Sequence, residues 1–155
     1  MPMKERITVR SAEPGDQATL VAFNRAMAQE TEDKPLDLEL LASGIGRLLE
    51  QPEHGRYYVA QSDGTVVGAL MITTEWSDWR NGLFWWIQSV YVLPEHRRHG
   101  IYRALHSEVR ELARAEPDVC GLRLYVEREN QIAQHTYRRL GMDETVYRIY
   151  EETFS

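Results

Sequence analysis

Apolar and polar positions alternate with the period of a strand over Ile7-Thr8-Val9-Arg10. Pro14-Gly15-Asp16 then supplies a turn and a helix N-cap. The period changes next: Leu20, Phe23, Ala26 and Met27 share one face of a helix predicted from about Gln17 to Glu30. Pro35 breaks the chain, and Asp37 caps a second helix whose stripe is Leu38, Leu41, Ile45, Leu48 and Leu49, with Gly44 and Gly46 weakening its middle. The stretch from Pro52 to Gly55 ends it. Tyr57-Tyr58-Val59-Ala60, the turn Ser62-Asp63-Gly64 and the run from Thr65 to Thr74 read as a β-hairpin. A further turn, Ser77 to Gly82, leads into the apolar strand Leu83 to Leu93. Ile101, Ala104, Leu105, Val109 and Leu112 line one side of a helix from Gly100 to about Ala115, stopped by Glu116-Pro117-Asp118. A strand from Gly121 to Val126, a helix from Asn130 to Leu140 ended by Gly141, and a strand from Val146 to Tyr150 complete the pattern. Hairpins in the first half and alternating strands and helices in the second predict an α/β (α+β) fold, a mixed sheet with helices on both faces.

Composition narrows the function. With 155 residues, 43% hydrophobic and 27% charged, the chain has the size and balance of a single domain over residues 1–155. A net charge of −6 excludes a binder that neutralises many nucleic-acid phosphates, while leaving room for a local positive site. One cysteine, Cys120, permits no internal disulfide and reads as a core thiol, which fits a reducing cytoplasm. The N-terminus leads into no apolar signal-like run and the apolar stretches are too short to span a bilayer, so no membrane partner is expected. The five histidines show no metal-ligand spacing, and no metal is expected. Trp76, Trp79, Trp85 and Trp86 cluster around one turn, as core or as a pocket wall.

The segment from Ile87 to Leu105 carries the clearest chemistry. A strand ends at Pro94, a basic turn follows, and Gly100 opens a helix whose first N–H groups have no intrahelical partners. Those donors, the helix dipole and a glycine that admits close approach form an anion cradle, with Arg97, Arg98 and Arg103 around it. A basic loop capping an ordinary crossover is the alternative from the turn alone. Arg97-Arg98-His99-Gly100-Ile101-Tyr102 resembles the pyrophosphate-binding signature of the GNAT superfamily of N-acetyltransferases: Gln or Arg, two variable residues, Gly, one variable residue, then Gly or Ala. Tyr102 departs from it, so its side chain must point away from the phosphates or stack on the ligand. Downstream, Asn130-Gln131-Ile132-Ala133-Gln134-His135-Thr136-Tyr137-Arg138-Arg139-Leu140-Gly141-Met142 is similar to the family's second block, with each landmark at its spacing. Asn130 and Tyr137 project from one helix face, about two turns apart, with Asn130 at the helix mouth as an N-cap.

The resemblance spans roughly Ile7 to Tyr150 and implies a mostly antiparallel sheet of about six to seven strands. It implies that acetyl-CoA is the donor and a small-molecule primary amine the acceptor, in a ternary complex. A β-bulge over Ser89, Val90, Tyr91 and Val92 would free backbone groups for the pantetheine arm. Arg97, Arg98, His99, Gly100, Ile101, Tyr102 and Arg103 would hold the pyrophosphate, with Asn130 and Ala133 also on the cofactor side. Tyr137 would protonate the leaving thiolate and the Val90 N–H would stabilise the oxyanion. The base is a carboxylate, Glu75 or Asp78 in the turn that follows it, or a water relay, since Trp86 and Gln88 offer no carboxylate. Glu30 and Glu32, in the acidic segment where relatives shape the acceptor pocket, and Trp76 and Trp79 would receive a cationic amine. Relatives are often homodimers, and Phe84, Trp85, Tyr147 and Tyr150 look exposed enough for an interface. A peptide or protein acetyltransferase and a non-catalytic acyl-CoA-binding module remain the competing functions.

Overall fold

Each strand that alternates in sequence has two faces to satisfy, and the computed structural model packs helices on both. It describes residues 6–32 and 35–154, divided into a unit ending at Leu124 and a second beginning at Tyr125. In the first unit, β1 (Ile7–Ser11), β2 (Arg56–Ser62), β3 (Thr65–Ser77), β4 (Gly82–Val92) and β5 (Val119–Arg123) form one sheet in that order. Neighbours from β1 to β4 are antiparallel, and β5 is parallel to β4. Asp63 and Gly64, both at positive φ, make the tight turn between β2 and β3.

Residue parity assigns the two faces. Tyr57, Val59, Ala69 and Tyr91 pack with Leu20 and Phe23 of α1 (Gln17–Glu32) and Ile45 of α2 (Leu38–Glu50). Tyr58, Ala60, Leu70, Ile72 and Ile87 pack with Ile101, Leu105, Val109 and Ala113 of α3 (Ile101–Ala115). Asp37 caps α2 as expected, its Oδ1 accepting from the N–H groups of Glu39 and Leu40 at 3.1 Å each. Asp16 has another task. Its carboxylate accepts from the Glu13 N–H at 2.7 Å and from Arg10 at 2.8 and 3.0 Å, so it ties β1 to the short 3-10 turn that leads into α1.

In the second unit, Asn130 caps α4 (Gln131–Arg139) by accepting from the Ala133 N–H at 3.1 Å. Gly141 at φ +95° closes the helix, and the Met142 N–H reaches the Tyr137 carbonyl at 3.0 Å.

The fold class agrees with the expectation, but the described residues contain five strands rather than about six to seven. The strand expected over Gly121 to Val126 starts earlier and stops at Arg123, and the one expected over Val146 to Tyr150 is irregular. Val146, Tyr147, Ile149 and Tyr150 have strand-forming side chains but are exposed and pair with no strand. Strand propensity alone does not make a strand. Phe84 and Trp85, expected at an exposed surface, are core residues at 7% and 4% exposure, whereas Cys120, expected in the core, is exposed.

The position of α3 depends on a missing side chain. A Cβ added at Gly68 of β3 would lie 2.9 Å from Ile101 Cγ2 and 3.2 Å from the Tyr91 carbonyl oxygen. Gly68→Val is expected to lower stability by about 1–3 kcal/mol through overpacking, read as an earlier urea midpoint, because Ile101 and the start of α3 must shift.

Candidate active site

β4 contains one residue more than its partner. Between the pairs Ala69↔Tyr91 and Met71↔Gln88, β3 advances two positions while β4 advances three. Ser89, at φ +52°, takes the left-handed backbone that the bulge needs. The side-chain period of two is broken there: Ile87 and Val90 pack on the α3 side, and Tyr91 turns to the α1 side. On the other edge, pairing with β5 stops at Trp86↔Arg123. From Ile87 to Val92, β4 has no strand partner on that edge among the described residues. This bulge, at Ser89 and Val90, lies within the segment Ser89 to Val92 to which the family resemblance assigns it.

Beyond β4 the chain makes a 3-10 turn over Pro94–His96 and then enters α3. Arg98 at φ +66° and Gly100 at φ +81° both adopt left-handed backbone, a conformation that turns successive N–H groups toward a common concavity. The first intrahelical bond of α3 runs from the Ala104 N–H to the Gly100 carbonyl at 3.0 Å, and no side chain caps the helix. Space beside Gly100 is open, with nothing within 4 Å of where a Cβ would stand. The Tyr102 hydroxyl lies 3.1 Å from His106 Nδ1, so this side chain runs along α3 to the next turn. The departure from the signature thus keeps its ring engaged with His106.

Arg97 and Glu30, expected on the cofactor and acceptor sides respectively, meet each other. Arg97 Nη2 is 2.8 Å from Glu30 Oε2, its Nε donates to the Val92 carbonyl at 3.0 Å, and the Tyr91 hydroxyl donates to Glu30 Oε1 at 3.1 Å. Burial and the bond to Glu30 raise the pKa of Tyr91. Glu32 is in α1, and its side chain lies outside the described residues, as does Asp33.

Glu75 stands apart from this cluster. It pairs with Phe84, five positions before Ser89 in β4, a separation of about 16 Å along a strand. Its Oε1 accepts from Arg123 at 2.7 Å and from the Trp86 indole at 3.2 Å. Its carboxylate is therefore engaged by two donors at the far end of β3. Trp76 and Trp79, 59% and 92% exposed, sit near or in the β3–β4 turn, remote from Ser89 for the same reason.

Instead, a cleft of about 380 Å³ reaches Ser89 from the α1 and α2 side. Tyr57 stands in it with its hydroxyl bonded to the side chains of Asn24 and Ser89, and burial raises its pKa. Asn24 and Tyr57 were not foreseen, because they come from α1 and β2 and share no local motif.

Bulge, unpaired edge and uncapped helix end occur in the order of the sequence signature. The acetyltransferase (GNAT) family pattern matches residues 20–142. The chain belongs to the GNAT acetyltransferase family. Among curated proteins, none matches the chain. Its fold is similar to that of a possible acetyltransferase from Clostridium difficile 630, with 43% identity, TM-score 0.89, and coverage of 96% of this chain and 98% of that one. A ribosomal-protein-alanine N-acetyltransferase from Brucella melitensis biovar Abortus 2308 shares the fold at 18% identity and TM-score 0.78, over 97% and 100% of the two chains. An aminoglycoside N-acetyltransferase in complex with CoA does so at 17% identity and TM-score 0.75, over 99% and 98%.

GNAT proteins use acetyl-CoA and act on an amine, and the second sequence block of this one has its expected local form. Asn130 is the cap, Ala133 supplies the capped N–H, and Tyr137 lies on the same helix. Burial raises the pKa of Tyr137, which keeps its phenol protonated. Among the described residues no group of three His, Cys, Asp or Glu side chains is placed to hold a metal, and no helix is long and apolar enough to cross a membrane.

His106, 2% exposed in α3, gives the site's supporting helix a pH dependence. Burial lowers its pKa, and the Arg110 charge adds to the effect. The unfolded chain therefore binds more protons than the folded one as pH falls below the ordinary histidine value of about 6.5, and stability is lost on that side. Thermal midpoints should fall between about pH 7.5 and 5.5, and His106→Gln should flatten that fall; an unchanged slope in the variant would assign the acid limb to other groups.

Proposed function

We propose that this GNAT protein transfers an acetyl group from acetyl-CoA to a primary amine of a small molecule, by direct attack in a ternary complex. The observation that carries the reading is the bulge at Ser89: it leaves the β4 edge open on one side and meets a cleft on the other. Acetyl-CoA, when bound, supplies the activated acyl group as a thioester. The chain does the rest. Backbone groups from Ser89 to Val92 hold the pantetheine arm, and the N–H of Val90 polarises the carbonyl oxygen. Arg97 to Arg103 and the first turn of α3 hold the pyrophosphate, with Asn130 and Ala133 in the same role by their match to the family block. Binding on that remote handle positions the thioester for attack, a proximity effect. Tyr137 donates its proton to the departing sulfur. Glu75 is committed to Arg123, so a water relay rather than this carboxylate takes the ammonium proton.

The cleft beside Ser89, of about 380 Å³, has the size of a small acceptor. Glu30 acts on the acceptor side indirectly, by holding Arg97 and Tyr91. We place the enzyme in the cytoplasm, consistent with its single cysteine, and propose a homodimer through the exposed Tyr147 and Tyr150.

Tyr137→Phe keeps the ring and deletes the hydroxyl. Thiol release from acetyl-CoA should fall roughly 10²–10⁴-fold, with a changed high-pH limb and nearly unchanged CoA affinity. Near-wild-type turnover would assign the proton to water or to another residue.

A further inference from the structure

The cleft beside Ser89 has a polarity that specifies more than an amine. Its inner end is polar, with Tyr57 bonded to Asn24 and Ser89 at the bulge. Its walls are apolar: Leu41 and Leu48 of α2 on one side and Met71 of β3 below. Leu40, 72% exposed, also lines it. Among the described lining residues Asp37 is the one acid, and its Oδ1 already accepts two N–H groups at the start of α2.

We propose, resting on the acetyl-transfer reading, that the acceptor is a monoamine on an apolar body, an alkylamine or arylalkylamine, held with its amino group at Ser89 and its body along α2. A polyamine or aminoglycoside would bring further ammonium groups against Leu41, Leu48 and Met71. Those charges would lose water there, and the one acid among the described lining residues, Asp37, already accepts two N–H groups. An apolar body instead gains by leaving water. Trp76 and Trp79, which the sequence analysis places against a cationic amine, are not among the described residues that line this cleft.

Gly44 provides the test. It lines the cleft from α2, and a Cβ there meets nothing within 4 Å, so a larger side chain enters the cleft and not the core. A helix-interior glycine is also a poor helix former, so Gly44→Leu should keep or raise the melting temperature. Titration calorimetry with saturating CoA would compare 2-phenylethylamine and hexylamine with spermidine. The two monoamines should bind at least about tenfold more tightly than spermidine, Gly44→Leu should weaken them at least about tenfold with CoA affinity unchanged, and Gly44→Ala should fall between. Spermidine binding as tightly as the monoamines, or monoamine affinity unaffected in Gly44→Leu, would overturn the proposal. Monoamine binding without acetyl transfer would support the cleft's chemistry and refute the transferase reading. Transfer confined to spermidine would do the reverse.

Discussion

The extra residue in β4 is the constraint on which the rest depends. Strand side chains alternate, so a single insertion reverses every face beyond it. Ile87 and Tyr91 would share a side in a regular strand; here Ile87 packs toward α3 and Tyr91 toward α1. That reversal brings the Tyr91 hydroxyl to Glu30 and places Arg97 over the Tyr91 ring at 5.4 Å. The left-handed backbone at Ser89 is unfavourable for a residue with a Cβ, and the surrounding strand pairs hold it in place.

Electrostatics around the bulge are local. The chain carries a net charge of −6, yet Arg97, Arg98 and Arg103 gather where β4 gives way to α3. Arg97 is engaged by Glu30, but both side chains are nearly half exposed, at 45% and 40%. A pair that open to water contributes at most about 1 kcal/mol, so a pyrophosphate could compete with Glu30 for the guanidinium. Two left-handed residues and an uncapped helix start add backbone donors that need no side chain to move.

Elements whose side chains follow one clear period were legible in the sequence. The stripe of α3, the Asp37 cap, the Asp63-Gly64 turn and the Asn130 cap all stand where periodicity and capping chemistry put them. The bulge came from family resemblance, since nothing local in Ser89-Val90-Tyr91-Val92 distinguishes an irregular strand from a regular one. Pairing and burial between distant segments were not legible. Val146 to Tyr150 has strand chemistry without a strand partner, and Phe84 and Trp85 looked like surface because the register that buries them is fixed by β3 and β5. Glu75 meets Arg123, far along the chain, a contact that no local pattern announces. The cleft escaped notice for a related reason: Asn24, Gly44, Tyr57 and Ser89 lie on four separate elements.

Backbone groups carry the central claim, so backbone exchange tests it most directly. Amide hydrogen exchange followed by NMR, with and without CoA, would read Ser89 to Val92 and Ile101 to Arg103 separately from the rest of the sheet. The account predicts slower exchange on CoA addition at both segments, with Thr8 to Arg10 in β1 unchanged. Protection confined to other surfaces, with both segments exchanging as in the free protein, would contradict it.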